Sequence, residues 1–566
     1  MKVYFFILRI TLYTFIFLGI FNSSYAKVFE FNHDAKNISN YFSGLISFDD
    51  FDYQGSQIFF KKLDNFENKN TGYSSKFLQS LINLGKYNEA YRYAKKLEKN
   101  NISNFEGSLF LGLYEFKKQN YTEAQIHFDK LKPDPQHQLI FEILEISLKT
   151  WTKVIESNNI KDAELLNKAN PVYNNLVMIQ KVFANCYLEN IGTEKEFKKI
   201  TENKKYNFFR YNFFFGNYLY NNGKKAKAIE LIDSSSKKYP RNLLINQFRK
   251  NLNGSEKNNN EFNCRNSADI IAEIFYVLAN LLSSQGDYKL SNFYINLSKF
   301  LNPNFKSYDA LLAENFIILN KANNAKKIYK KLLKNGSVYK WYAAKQIANI
   351  MDNEKDENSV KFLSKIYNNI ESDIYDSFDL ANFFRNKEDY EKSIELYSEI
   401  LEKINSNHKL YPAVLERRGM AYERIDNWEL SEKDLLASLE IIPDEPYVMN
   451  YLAYSWIEKS KNIEKALTML RKANDLKRNN GYITDSLGWA LYKLENFSES
   501  KKYLEMAIIL MPRDPIINDH FADCLWMNNY KIQARYYWNN VLKSDDADEE
   551  LKTKVEKKLL FGLENT

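Results

Sequence analysis

Asp485, Trp489, Asp519, His520, Asp523 and Trp526 are the side chains in this 566-residue sequence whose types and spacing invite a chemical role. Asp485 and Asp519 stand 34 positions apart, and so do Trp489 and Asp523. Carboxylates beside an imidazole could form a general acid–base pair or hold a divalent cation. Carboxylates beside indole faces could instead receive the ammonium or guanidinium groups of a bound peptide. A third reading is structural: the acids cap helix starts and the aromatic rings pack between helices. Metalloprotease, hydrolase-elbow and P-loop motifs are absent. The 5 histidines are scattered, and His33, His127, His137 and His408 stand in polar surroundings, where solvent exposure is expected. No catalytic residue, metal ligand or cofactor is assigned.

The spacing of 34 extends far beyond these six residues. Gly488 follows Leu487 and precedes Leu491, with Ser500, Leu504, Ala507 and Pro512 after it; 34 residues on come Phe521, Ala522, Leu525, Ala534, Trp538 and Val541. Counted from eight residues before the small position, units start at 272, 306, 340, 374, 412, 446, 481 and 515. The longer step before 412 is absorbed by the polar stretch Asn405-Ser406-Asn407-His408, since loops take insertions cheaply and helix faces do not. Fainter units start near 37, 71, 105 and 209, while 139–205 keeps helical spacing without a clear register. Small residues (Gly419, Ala453, Gly488) allow two helices to approach, and large ones (Tyr397, Leu452, Trp538) fill the remaining space. Pro446 and Pro515 fall at first helical positions, where a missing N–H costs nothing.

This pattern resembles the tetratricopeptide repeat, a helix–turn–helix unit written W-x2-L-G-x2-Y, then A-x3-F, then P. The resemblance covers roughly 37–545 and is strongest from 272 onward. It implies an all-α superhelical solenoid that presents a preformed concave surface. It also implies that slots 2, 5, 9, 12 and 13 of each first helix face the groove. In the last three units those slots include Tyr447, Asn450 and Tyr454; Tyr482, Asp485, Trp489 and Tyr492; and Asp519, Asp523 and Trp526. These are the candidate partner-binding residues, an aromatic floor with acidic points suited to a protein or peptide carrying basic segments. The family's carboxylate-clamp subgroup uses Lys and Asn there; here only Lys493 is basic, which argues against an acidic C-terminus as the ligand.

The expected layout is a signal peptide over 1–26, an N-terminal superhelix over 27–250, an exposed linker over 251–267, a C-terminal superhelix over 268–548 and a capping helix over 549–566. The Asn/Gly/Ser-rich stretch Asn253 to Ser267 is expected to be open to proteases, and Leu243 to Leu252 to form an extra helix. Lys2, the apolar run Ile10 to Phe21 and Ser24-Tyr25-Ala26 read as an export signal cleaved after Ala26. Arg9 interrupts that run and leaves a retained membrane anchor as an alternative. No Cys lies near the cleavage point, so a direct lipid anchor is not expected. The net charge of +7, or +5 without Lys2 and Arg9, is thin over such a length, and nucleic acid is not an expected partner. Cys186, Cys264 and Cys524 are too few and too scattered for a disulfide framework and are expected to be small buried residues.

These readings converge on a non-enzymatic interaction scaffold or adaptor in a bacterial envelope, exported to the periplasm. The alternatives are an envelope enzyme, or enzyme subunit, acting on polysaccharide or peptidoglycan, and a membrane-anchored complex subunit.

Overall fold

The computed structural model describes residues 35–63, 71–131, 138–203, 208–254 and 261–563. The expected signal segment, His33, His137 and part of the expected linker (255–260) lie outside them. Among the described residues every regular element is a helix. Six of the eight expected unit starts coincide with helix starts: Ser307–Ile318, Ile374–Asn386, Tyr411–Arg424, Pro446–Glu458, Gly481–Lys493 and Pro515–Met527 all begin within one residue of the predicted position, whereas 272 and 340 fall inside Ser267–Ser284 and Ser337–Asn353. The fainter units are present as Ala35–Asp49, Thr71–Asn83, Phe105–Lys117 and Tyr211–Asn221, and Leu243–Leu252 is the extra helix. The unclear stretch owes its lost register to a 20-residue helix, Gln138–Ser157, followed by two 3-10 segments before the next α-helix.

Each hairpin is built from local rules. Asn480 caps its helix by accepting from Ile483 N at 3.1 Å, and Asp514 accepts from the backbone of Ile516 and Ile517. Pro446 and Pro515 open their helices as expected. First helices end on a left-handed residue, as at Asp426 (φ 60°), Glu495 (φ 62°) and Asn529 (φ 64°), which reverses the chain into the second helix. The two helices then meet through a small residue and a large one 16 positions later. A Cβ on Gly488 would lie 2.6 Å from Leu504 Cγ, and one on Gly419 would lie 3.0 Å from Leu435 Cγ. Gly488→Leu should therefore destabilise the C-terminal unit by about 1–3 kcal/mol, the usual cost of overpacking. An unchanged thermal midpoint would contradict the close approach.

The chain divides into two compact units, one ending at Ile328 and the other starting at Tyr329. The expected division, in 251–267, is displaced because Ser267–Ser284 and Tyr288–Leu301 pack back onto the N-terminal hairpins. Asn296 Nδ2 donates to Asn83 Oδ1 at 2.9 Å, Lys289 pairs with Asp49 at 2.8 Å, and the Phe300 ring lies 4.8 Å from Tyr87 and 5.2 Å from Phe110. The first-helix residues Asn83 and Phe110 of this unit are thus covered by its own continuation.

Residues 261–264 are docked, while Arg265 and Asn266 remain exposed. Phe262 is buried, its carbonyl accepts from Asn217 Nδ2 at 2.8 Å, and Asn302 Nδ2 donates to the Glu261 carbonyl at 2.8 Å. Beside them Cys186 and Cys264 form a disulfide, contrary to the sequence expectation. They lie 78 residues apart and meet only because Phe262 packs against Phe183 and Phe214. Cys524 is free and buried, as expected. A further correction concerns His127, which is buried with Nδ1 3.1 Å from Glu98 Oε1. Burial pushes its pKa down although Glu98 opposes this.

Candidate functional site

The three first helices Pro446–Glu458, Gly481–Lys493 and Pro515–Met527 pack in succession within the C-terminal unit. Because successive hairpins repeat every 34 or 35 residues, equivalent slots form rows across them. The row at slot 2 carries Tyr447, Tyr482 and Ile516, which are 48%, 55% and 52% exposed. Three large apolar residues half in water at one slot are not needed by the core and mark a surface.

The slot 5 row carries Asn450, Asp485 and Asp519. Asp485 is buried; its Oδ2 lies 2.9 Å from His520 Nδ1, while its Oδ1 is buried without a hydrogen-bond partner. Asn450 Oδ1 is likewise buried and unpartnered. Both acceptors can take a hydrogen bond from a donor that enters the row. The acids do not cap helices, since Asn480 and Asp514 hold those positions.

At slots 9 and 12 the aromatic residues are tied into the fold. Trp489 is buried, stacks on His520 at 3.9 Å and on Tyr492 at 4.7 Å, and donates from Nε1 to Glu458 Oε1 at 2.6 Å. Lys493 Nζ lies 4.9 Å above the Trp489 ring. Tyr454 is half-buried beside Glu458 and Asp485, and burial pushes its hydroxyl pKa up. Trp526 is half-buried, with Lys531 and Arg535 over its face and Gly562 against its edge.

Asp519 and Asp523 converge on Lys558 of the capping helix Glu549–Phe561, with four oxygen–nitrogen distances of 2.7–2.9 Å. Trp538 Nε1 donates to Asp523 Oδ1 at 2.9 Å and orients it. Burial, then the Asp519 charge, outweigh Lys558 and push the Asp523 carboxyl up to about 6. Thus the predicted residues fall into two knots and a row: Asp485 with Trp489 and Tyr492, Asp519 with Asp523, and the exposed Tyr447 and Tyr482. Sequence reading missed Lys558 and Trp538 as parts of the site. Lys558 sits on a helix that starts one period after Pro515, but spacing alone does not show that its side chain reaches two carboxylates.

The imidazole of His520 provides a pH test. Burial alone would lower its pKa, but Asp485, with Asp519 and Asp523 beyond it, holds it above the ordinary 6.5. A raised value means the folded state binds the proton more tightly. The stabilisation is therefore full below about pH 6.5 and lost as pH rises through the folded value. Chemical denaturation of the full chain should show the C-terminal unit weakening across that window, and His520→Gln should flatten the trend. A trend unaltered by the substitution would contradict the pairing.

No known family profile matches the chain. A TPR repeat-containing protein of Pseudomonas aeruginosa is 28% identical over 112 residues, a match covering 19% of this chain and 19% of that protein's length. The repeats are of the tetratricopeptide type. Among solved structures, the APC/C hetero-tetramer Cut9–Hcn1 aligns over 93% of this chain and 96% of its own at 14% identity, with a TM-score of 0.38. YrrB, described as a TPR protein with an unusual peptide-binding site, aligns over 34% of this chain and 97% of its own at 14% identity, with a TM-score of 0.27. Likenesses at these scores carry no part of the functional argument.

Proposed function

We propose that this protein is a non-enzymatic interaction scaffold of the bacterial envelope, and that its tetratricopeptide groove over 446–527 receives an extended or helical protein segment. The observation that carries the reading is the coincidence, in the same three repeats, of the exposed row Tyr447, Tyr482 and Ile516 with the unmatched acceptors of Asn450 and Asp485. A ligand that covers the aromatic row and donates N–H groups to the acceptors satisfies both at once. The groove is preformed, so binding does not carry an ordering cost on this side. The N-terminal unit fits the role of a rigid support, since its own continuation already covers Asn83 and Phe110 of its first helices.

Export is supported by the pattern over 1–26 and by the Cys186–Cys264 disulfide, which belongs with an oxidising compartment. Mass spectrometry of the protein from its envelope fraction tests this: an N-terminus at Lys27 supports cleavage, and Met1 supports the anchored alternative. Acid–base chemistry is less well supported. Lys558 holds both Asp519 and Asp523 in ion pairs, and the Asp485–His520 pair lies beneath the Trp489 ring.

The binding test is co-purification of partners from the envelope fraction. Replacing both Tyr447 and Tyr482 with Ser alters exposed side chains, so the fold should hold while partner recovery falls at least tenfold. Asp485→Asn, which keeps shape and removes charge, should reduce recovery further at low salt. Undiminished recovery by a folded Tyr447→Ser/Tyr482→Ser protein would refute the groove.

A further inference from the structure

Arginine is much rarer than lysine in this chain, yet Arg385, Arg417, Arg418 and Arg424 fall in two adjacent repeats of the C-terminal unit. Arg418 behaves as a structural arginine: its Nε and Nη2 donate to the two oxygens of Asp434 at 2.7 and 2.9 Å. Arg385 and Arg417 do not follow that rule. Arg385, at slot 12 of the repeat that starts at 374, donates to Asn386 Oδ1 at 3.1 Å and reaches Met420 Sδ at 3.9 Å. Its Nε is buried with no hydrogen-bond partner, and no carboxylate among the described residues forms an ion pair with it. Arg417, at slot 6 of the next repeat, reaches the same Met420 sulfur at 3.8 Å. It has one carboxylate at pairing distance, Glu416, 3.5 Å from its Nη1.

Two guanidiniums therefore meet at a thioether, which accepts hydrogen bonds weakly and carries no charge to offset theirs. What the arrangement lacks is an anion. A carboxylate offers two acceptor oxygens and a negative charge, the match for a guanidinium fork. The place is open to a ligand: Arg385 and Met420 are half-buried, and 36% of the Arg417 side chain is exposed. Slots 9 and 12, which carry Met420 and Arg385, are the slots that carry Trp489 and Tyr492 farther along. Tyr451 donates to Glu423 Oε2 at 3.0 Å and ties this repeat to the one that holds Asn450. An unmet donor in one pair of repeats is thus followed by the unmet acceptors of Asn450 and Asp485 in the next two.

We propose that Arg385 and Arg417 bind the carboxylate of an Asp or Glu side chain in the partner segment, whose N–H or basic groups lie farther along, over Asn450 and Asp485. This rests on the groove reading and adds a charge order that fixes the direction in which the segment lies. The arginines stand part-way along the row of first helices, with repeats before and after them, so the carboxylate belongs to a side chain within the segment and not to a chain end.

The test pans a displayed random peptide library on the full chain and resynthesises the selected peptides with both ends blocked, so that every carboxylate is a side chain's. Selected peptides should share an Asp or Glu, and its change to Asn or Gln should weaken binding to wild type at least tenfold. The same change should have little effect on binding to the Arg385→Gln/Arg417→Gln protein. Arg417→Gln alone, at a partly exposed site, gives the same comparison if the double variant does not fold. Stability separates this role from a structural one: Arg417→Gln should leave the thermal midpoint unchanged or raise it, whereas Arg418→Gln should lower it. The proposal is overturned if the acidic residue is dispensable, if peptides bind only with a free C-terminus, or if Arg417→Gln lowers the midpoint as Arg418→Gln does. Peptides that need Tyr447 and Tyr482 but no acidic residue would sink this proposal and leave the groove reading standing. Peptides indifferent to Tyr447→Ser/Tyr482→Ser, or the absence of any selected peptide, would remove both.

Discussion

Replacing Arg210 with Met should cost the N-terminal unit about 3–5 kcal/mol, the loss expected when one member of a buried ion pair is removed. Arg210 Nε and Nη2 donate to the two oxygens of Glu273 at 2.8 and 2.9 Å, and Glu273 is 1% exposed. The guanidinium also lies against the rings of Tyr276 at 4.2 Å and Phe305 at 5.2 Å. Met can occupy much of that ring-lined space, so the loss comes mainly from a carboxylate stranded without its partner. Burial already pushes the Glu273 carboxyl upward in the intact protein, with Arg210 opposing it. The Arg210→Met protein should accordingly regain part of its stability at mildly acidic pH, where Glu273 protonates. Pairing the change with Glu273→Gln should restore most of it at neutral pH. Urea unfolding is the measurement, and a cost below about 1 kcal/mol for the single variant would show that the pair is not buried as described.

Removing the Cys186–Cys264 bond should cost about 4.5 kcal/mol by the loop-entropy relation for its 78-residue separation. Cys264→Ser should lower the thermal midpoint of the full chain and make it insensitive to reductant, whereas wild type should fall to the same value on reduction. The denatured, unreduced wild-type protein should present one free thiol, that of Cys524. Three free thiols in protein recovered from the envelope would contradict both the bond and the exported setting.

Much of the fold was legible because the small-to-large rule is local. Gly419 with Leu435 and Gly488 with Leu504 are each 16 residues apart, a distance set by one turn between two helices, so the pattern survives in sequence. What was not legible depends on contacts between distant segments. Asn253 to Ser267 reads as a loop from composition, yet Phe262, a single large apolar residue in it, is enough to dock its second half and bring Cys264 to Cys186. The return of Tyr288–Leu301 onto the first hairpins follows its own aromatic contacts and not the repeat, which is why the division falls at 328. The site shows the same split. Repeat register placed Asp485, Asp519 and Asp523 on first helices, but it could not show that Lys558 of the capping helix forms ion pairs with two of them. Nor could it separate Trp489, locked between His520 and Tyr492, from the exposed Tyr482 seven residues earlier.

The central claim is that partners bind along the row of Tyr447 and Tyr482. Site-specific photo-crosslinking in the native envelope tests it most directly, with a benzophenone side chain at position 482 and, as a control, at the still more exposed second-helix residue Ile532. A discrete crosslinked protein from position 482, absent from position 532 and lost on Asp485→Asn, is the predicted result. Crosslinks from position 532 alone, or equal products from both, would contradict the account.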